Sequence, residues 1–171
     1  KKKNLRLIDA TNYSFKEILR FISSNEDILV QTEDLNKFSN KNFKVVSKKK
    51  PSSKQMKNLI FAFNICRYVK SNAIVLASNG TTTGIGSGQP SRLDSCQIAI
   101  DKMKKFMHIN DDVVAASDAF FPFVDGIQKL VQSGVSAVIQ PSGSIRDKEI
   151  INFANETDTI LVFSKTRHFR H

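Results

Sequence analysis

The stretch from Ser71 to Arg92, SNAIVLASNGTTTGIGSGQPSR, leaves the chain few ways to fold. Ala73-Ile74-Val75-Leu76 is a short apolar run of the kind that fills a buried strand. Asn79-Gly80 follows, and both central residues of a type I′ turn need the positive φ that this dipeptide tolerates. Thr81, Thr82 and Thr83 are β-branched and return the chain as a second strand. Gly84, Gly86 and Gly88 then recur at spacing two. In a strand that spacing removes every side chain from one face, so a ligand or another backbone can come close there. Pro90 and Ser91-Arg92-Leu93-Asp94 read as a helix start with a capping box. A hairpin therefore runs into a helix N-terminus that carries an arginine, an arrangement suited to an anion. The alternative is a tight strand-to-helix turn with an exposed arginine.

With 171 residues, 40% of them apolar and 25% charged, the chain has enough material for one domain with a core. No apolar run reaches membrane-spanning length, and no signal-type apolar segment follows Lys1–Lys3, so the expected setting is cytoplasmic. Cys66 and Cys96 each fall inside an expected helix, which indicates a reducing compartment and no disulfide framework. His108, His168 and His171 are the only histidines, and without a CxxC or HxE motif no metal centre is expected. The net charge of +10 is one-sided: residues 1–70 hold 16 basic and 6 acidic side chains, against 10 and 10 in residues 71–171. A basic first section raises an alternative function, a nucleic-acid-binding module. Its lysines, however, are clustered at Lys1–Lys3 and Lys48–Lys50 without interleaved aromatics. Binding that falls steeply with salt would mark that alternative.

Taken in order, Asn4–Ile8 reads as an opening strand, and Ser14–Ile22 is ambiguous between helix and strand. Ser24–Asp27 is a turn, and Ile28–Thr32 and Phe43–Ser47 are strands. Residues 1–50 thus form a basic strand-and-turn lead-in to an α/β core over residues 51–171. Ser52 and Gln55 are spaced as a capping box, and Met56, Leu59, Phe63, Cys66 and Val69 make a buried helical stripe. Leu93, Cys96, Ile100, Met103 and Met107 make another. The last third alternates: strand Val113–Ala116, helix Ile127–Gln132 closed by Gly134, strand Val135–Ile139, helix Asp147–Ala154, strand Thr159–Phe163. Such alternation implies a parallel sheet covered by helices, with ligands beyond the strand C-termini. Ser117–Asp125, Gln140–Ser144 and Lys165–His171 fall there. In the first of these loops, two of the three phenylalanines are expected in the core, and the third stacks a flat heterocycle beside Asp125. Pro141-Ser142-Gly143-Ser144 offers free N–H groups ahead of a helix. The terminal RHFRH is either a solvated tail or a phosphate clamp folded over the strand ends. No Ser/His/Asp or Cys/His constellation stands out.

VKSNAIV (Val69–Val75), GIGSGQPSR (Gly84–Arg92), SDAFFPF-VDG (Ser117–Gly126), VIQPSGSIRD (Val138–Asp147) and RHFRH occur in an order that resembles the C-terminal part of a bifunctional purine-biosynthesis family. That family joins AICAR (aminoimidazole carboxamide ribonucleotide) formyltransferase to IMP cyclohydrolase. Residues 1–50 carry the resemblance least. It implies the second of two formyltransferase subdomains, a three-layer α/β/α, cytidine-deaminase-like fold whose mixed sheet has parallel C-terminal strands. It also implies a phosphoribosylaminoimidazolecarboxamide formyltransferase activity using 10-formyltetrahydrofolate as cosubstrate, with no catalytic metal. The implied partners are AICAR, the first formyltransferase subdomain with its lysine–histidine pair, the cyclohydrolase domain, and a second copy in a homodimer. The chain carries neither that subdomain nor the cyclohydrolase domain, so it is expected to be inactive alone. Position by position, the resemblance makes Asn72 a catalytic residue that orients substrate and stabilises charge. Arg92 and Arg167 become nucleotide-binding residues, and Leu93, Phe120, Asp125, Ser144 and Ile145 line the folate site. The family's usual arginine between the last Phe and the Asp of the aromatic loop is replaced here by Val124.

Overall fold

The computed structural model describes residues 6–12, 19–34, 38, 40–106 and 112–170, which fall into two compact units, Lys1–Asn36 and Lys37–His171. The first holds one antiparallel hairpin of β1 (Leu19–Ser24) and β2 (Asp27–Thr32), turned at Asn25 with φ +49°. The expected turn and the strand at Ile28–Thr32 are both present. Ser14–Ile22 resolves in its last four residues as strand, and residues 14–18 lie outside those described. The expected opening strand fails over residues 6–8, which have no regular structure; residues 4 and 5 lie outside those described. A strand needs a paired neighbour, and the sheet of this unit consists of β1 and β2 alone among the described residues.

In the second unit, six strands lie in the order β3-β8-β7-β6-β4-β5. They are β3 (Phe43–Val45), β4 (Ile74–Ser78), β5 (Thr81–Gly86), β6 (Val113–Ser117), β7 (Val135–Pro141) and β8 (Ile160–Ser164). β6, β7 and β8 are parallel, as the alternating pattern required. The three other pairings are antiparallel, so the sheet is mixed. Among the described residues four α-helices cover it: α1 (Ser53–Cys66), α2 (Arg92–Phe106), α3 (Val124–Gln132) and α4 (Asp147–Glu156).

Strand side chains alternate between the two faces, and both faces are buried. Val75, Ala77, Val114, Ala116, Ile139 and Val162 meet α1 through Leu59, Ala62, Phe63 and Cys66. Ile74, Leu76, Ala115, Val138 and Leu161 meet α2, α3 and α4 through residues such as Cys96, Ile100, Leu130 and Ile150. α1 begins where its capping box places it: Gln55 N–H donates to Ser52 Oγ at 3.1 Å, and Ser52 N–H donates to Gln55 Oε1 at 2.9 Å. The two cysteines lie on opposite faces of the sheet and are free. Burial pushes the Cys96 thiol up to about 12 and holds the Cys66 thiol well above its ordinary value, so neither is a thiolate at neutral pH.

The glycine series divides by role. A Cβ at Gly84 would stand 2.0 Å from the Ala99 carbonyl oxygen, and one at Gly86 would stand 1.9 Å from that of Ser95. Both oxygens belong to the backbone of α2. The open face of β5 therefore receives a helix rather than a ligand. Gly88 lies beyond the strand and turns the chain at φ +67°. Gly86→Ala must push α2 off the sheet, which places it at the upper end of overpacking, about 3 kcal/mol. Thermal denaturation is expected to show a Tm lower by roughly 6–12 °C. A change within about 0.5 kcal/mol would contradict the seating of α2 on β5.

Candidate functional site

Because β4 runs antiparallel to β6, the start of one lies beside the end of the other, with Ile74 opposite Ser117. The residues just outside that pair, Ser71–Ala73 and Asp118, are thereby brought together. Asp118 is fully buried. Its Oδ2 accepts from Ser71 Oγ at 2.6 Å and from the Ala73 N–H at 3.0 Å. Its Oδ1 accepts from Arg92 Nη1 at 2.5 Å, in an ion pair whose side chains are 10% and 0% exposed. The same Nη1 donates to Ser117 Oγ at 3.0 Å, and Nη2 donates to Asn72 Oδ1 at 2.8 Å.

Two further segments close on this group. Asn72 Nδ2 donates to the carbonyls of Gln89 and Pro90 at 3.1 and 3.0 Å, which fastens the glycine loop ahead of α2. The C-terminal segment folds back over the strand ends rather than standing in solvent. His168 N–H donates to the Asp118 carbonyl at 2.9 Å, and Ser71 N–H donates to that of Arg170 at 2.8 Å. The His168 ring is buried between Phe38 and Phe63, at centroid distances of 5.0 and 4.8 Å. It is packed away as a core residue. His108 and His171 lie outside the described residues.

Above the Arg92–Asp118 pair lies a cleft of about 440 Å³. Asn72, Arg92, Leu93, Phe120, Asp125 and Arg167 all line it, so six of the eight residues singled out from the sequence share one site. Ser144 and Ile145 stand outside it. Ile145 is fully exposed, and the N–H groups of Gly143 and Ser144 donate to the Asp147 carboxylate at 2.8 and 3.2 Å. The expected free N–H groups of that loop are therefore already occupied by an internal anion. The loop still touches the cleft wall through Arg146, whose guanidinium stands 4.7 Å from the centroid of Phe123.

The aromatic loop differs from expectation. Phe121 alone enters the core; Phe120 is half-buried on the cleft and Phe123 is 50% exposed. Room for one ring comes from Gly126, where a Cβ would stand 2.6 Å from the Phe121 ring. α3 starts at Val124, and its N-cap is Phe123, with no side-chain cap. Asp125 therefore sits inside the first turn, with Oδ1 accepting from the Gly126 N–H at 2.7 Å. Val124 packs against the core on the α2–α4 face. Leu93, expected in the buried stripe of α2, is half-buried on the cleft instead. Met107 of that stripe lies outside the described residues.

Electrostatically the cleft is divided. The guanidinium of Arg92 is committed to Asp118, Ser117 and Asn72. Arg167 is exposed, lies 5.2 Å from the Phe169 centroid, and forms no ion pair among the described residues. Asp125 likewise forms no ion pair among the described residues. No lysine or histidine among the described residues lines the cleft. Nor do the described residues contain a group of three or more His, Cys, Asp or Glu placed to hold a metal ion. Sequence reasoning singled out Arg92 but missed its partner. The available signal was an aspartate directly after the apolar run Val113–Ser117, since a carboxylate at the end of a buried strand needs a cation or several N–H groups.

Comparison with known proteins gives a consistent picture. The family model for the AICARFT/IMPCHase bienzyme matches residues 1–102, including the first fifty that carry few of the motifs. A protein of Leuconostoc mesenteroides named bifunctional purine biosynthesis protein PurH is 45% identical over 171 residues, covering 99% of this chain and 34% of that protein. Proteins of the same name from Chlorobium phaeobacteroides and Persephonella marina are 44% and 43% identical, each match covering 100% of this chain and 33% of the relative. The chain thus spans about a third of the length of the curated relatives it matches.

The buried pair makes a quantitative demand. Asp118→Asn leaves the Arg92 charge uncompensated in a desolvated site, at a cost of about 3–5 kcal/mol. Asp158→Asn removes the exposed partner of Lys49, where the side chains are 45% and 79% exposed, and is expected to cost no more than about 1 kcal/mol. Urea denaturation of both variants measures the contrast; equal losses would contradict it.

Proposed function

The chain belongs to the AICARFT/IMPCHase bienzyme family, and from that premise we propose that it is the second formyltransferase subdomain. In this reading it supplies the folate pocket and part of the nucleotide pocket for transfer of a formyl group from 10-formyltetrahydrofolate to AICAR. The observation that carries the reading is the convergence of Asn72, Arg92, Leu93, Phe120, Asp125 and Arg167 on one cleft at the strand ends. A helix on one face of the mixed sheet and three on the other support the three-layer, cytidine-deaminase-like architecture.

The cleft divides between two ligands. The aromatic side, Phe120 with Asp125, suits a flat pteridine whose ring N–H groups donate to the carboxylate. Leu93 covers its apolar edge, and the Ser144–Ile145 loop, which stands outside the cleft, reaches its wall through Arg146. Arg167, unpaired and exposed, suits the phosphate of a ribonucleotide. Arg92 lies at the junction and acts mainly by holding Asn72. Both Asn72 amide hydrogens donate to carbonyls, and Oδ1 keeps one lone pair beyond its bond from Arg92. That lone pair can accept from the substrate amine and orient it, which favours the orienting role of Asn72 over that of an oxyanion donor.

In the transfer itself, the 5-amino nitrogen attacks the formyl carbon and a tetrahedral oxyanion forms. The bond from carbon to N10 of the folate then breaks. The amine gives up one proton and N10 takes one. No lysine or histidine among the described residues lines the cleft. This reading assigns the proton transfer to the lysine–histidine pair of the first subdomain, within a cytoplasmic homodimer that also carries the cyclohydrolase domain. The chain alone is accordingly expected to show no formyl transfer. Turnover near that of a full-length relative would contradict this.

Calorimetric titration tests the division of ligands. Asp125→Asn is expected to weaken folate binding tenfold to a hundredfold, the loss of one charge-assisted hydrogen bond of about 1.5–3 kcal/mol, while nucleotide binding is unchanged. Arg167→Ala is expected to do the reverse. Equal losses of both ligands in both variants would overturn the assignment.

A further inference from the structure

Asn79-Gly80 is the chain's one Asn-Gly pair, and it makes the turn from β4 into β5. Both residues are exposed, at φ +51° and +69°. Asparagine is a thermolabile residue. Its side-chain amide is lost when the next backbone nitrogen attacks the side-chain carbonyl carbon, and a following glycine hinders that approach least. Nothing stands within 4 Å of a Cβ built at Gly80, so packing around that residue does not block the attack.

The turn is nevertheless tied to the rest of the fold. The Gly80 N–H donates to Asn58 Oδ1 at 3.0 Å, between residues 22 positions apart. Asn58 lies in the second turn of α1, is 4% exposed, and sits with Leu59, Ala62 and Phe63 among the buried residues of that helix. Its Nδ2 has no hydrogen-bond partner among the described residues. A buried amide with one end unsatisfied is destabilising, and an aliphatic side chain in its place would avoid that loss. The offsetting gain has to come through Oδ1, and the group that Oδ1 holds is the nitrogen that would attack Asn79.

We propose that Asn79 is a deamidation site and that Asn58 guards it by occupying the Gly80 N–H. In the unguarded reaction the Gly80 nitrogen gives its proton to solvent base and bonds to Asn79 Cγ. The tetrahedral adduct takes up a proton and expels ammonia, which leaves a five-membered succinimide. Water then adds to either ring carbonyl and breaks its bond to nitrogen, giving aspartate or isoaspartate. The net change is one water consumed and one ammonia released. A hydrogen bond that holds the N–H stabilises the protonated nitrogen and keeps it turned towards α1. One such bond of ordinary strength slows the reaction about tenfold. Isoaspartate would add a methylene to the backbone of a tight turn whose flanks pair as Ser78 with Thr81. β5 is also the strand on which Gly84 and Gly86 seat α2, so the guard protects the hairpin that this seating needs.

The test incubates the full chain at mildly alkaline pH beside a synthetic peptide of residues 75–83. Peptide-mapping mass spectrometry follows conversion of the Asn79 amide to acid, and chromatography separates the isoaspartate form. Asn58→Leu removes the acceptor, and Asn58→Asp keeps one. Asn79 of the wild-type chain is expected to convert at least about tenfold more slowly than in the peptide. Asn58→Leu is expected to raise the rate about tenfold, and Asn58→Asp to restore slow conversion. Hydrogen exchange at the Gly80 amide is the second readout and is needed if Asn58→Leu does not fold. That amide is expected to be protected in the wild-type chain and in Asn58→Asp, although Gly80 is exposed. Conversion in the wild-type chain as fast as in the peptide, a folded Asn58→Leu variant that keeps the wild-type rate, or Gly80 exchange as fast as in the peptide would each overturn the proposal.

Discussion

A carboxylate buried at the end of a strand has to be answered by several donors, and at Asp118 the answer comes from two separate parts of the chain, while a third is tied to its main-chain carbonyl. The Arg92 guanidinium arrives from the first turn of α2, the Ser71 hydroxyl and Ala73 N–H come from the entrance to β4, and the C-terminal segment bonds to the Asp118 carbonyl. Such a pair does not guarantee net stability, because desolvating two charges offsets much of their attraction. What it does enforce is position. With either charge moved to a different place, the other is left buried and uncompensated, so alternative packings of α2, β4 and the tail are excluded together.

The cleft inherits its chemistry from that constraint. Arg92 lines it, yet most of its hydrogen-bonding capacity points down to Asp118 and across to Asn72. Arg167 also lines the cleft, forms no ion pair among the described residues, and is held there by a tail that the Asp118 carbonyl anchors one residue further on. The glycines of β5 contribute at a distance. By admitting the α2 backbone against the sheet at Gly84 and Gly86, they set the depth at which Arg92 enters. Sheet packing and site geometry are in this sense a single arrangement.

What was legible in the sequence was local. The Asn79-Gly80 turn, the Ser52–Gln55 capping box and the strand–helix alternation after Val113 depend on neighbours within a few residues, and all three are present. The parallel order of β6, β7 and β8 followed because helical crossovers leave little choice. Pairings across longer separations were not legible. Arg92 and Asp118 lie 26 residues apart, and nothing at either position alone names the other. The glycine face of β5 was read correctly as a close approach, but sequence could not decide between ligand and backbone. At Phe120, Phe121 and Phe123 the composition favoured core, whereas the space beside Gly126 admits one ring. The Gly143 loop likewise looked like an anion site until Asp147, four residues on, took its N–H groups.

The most direct test is a double-mutant cycle by urea denaturation with Arg92→Met, Asp118→Asn and the two combined. If this pair holds α2, the entrance to β4 and the tail in one arrangement, the double variant is expected to lose less stability than the two single variants summed, by at least about 2 kcal/mol. Each single variant strands a buried charge or a set of unmatched donors that the double variant does not. Losses that add to within about 0.5 kcal/mol would contradict the claim that the site is built around this pair.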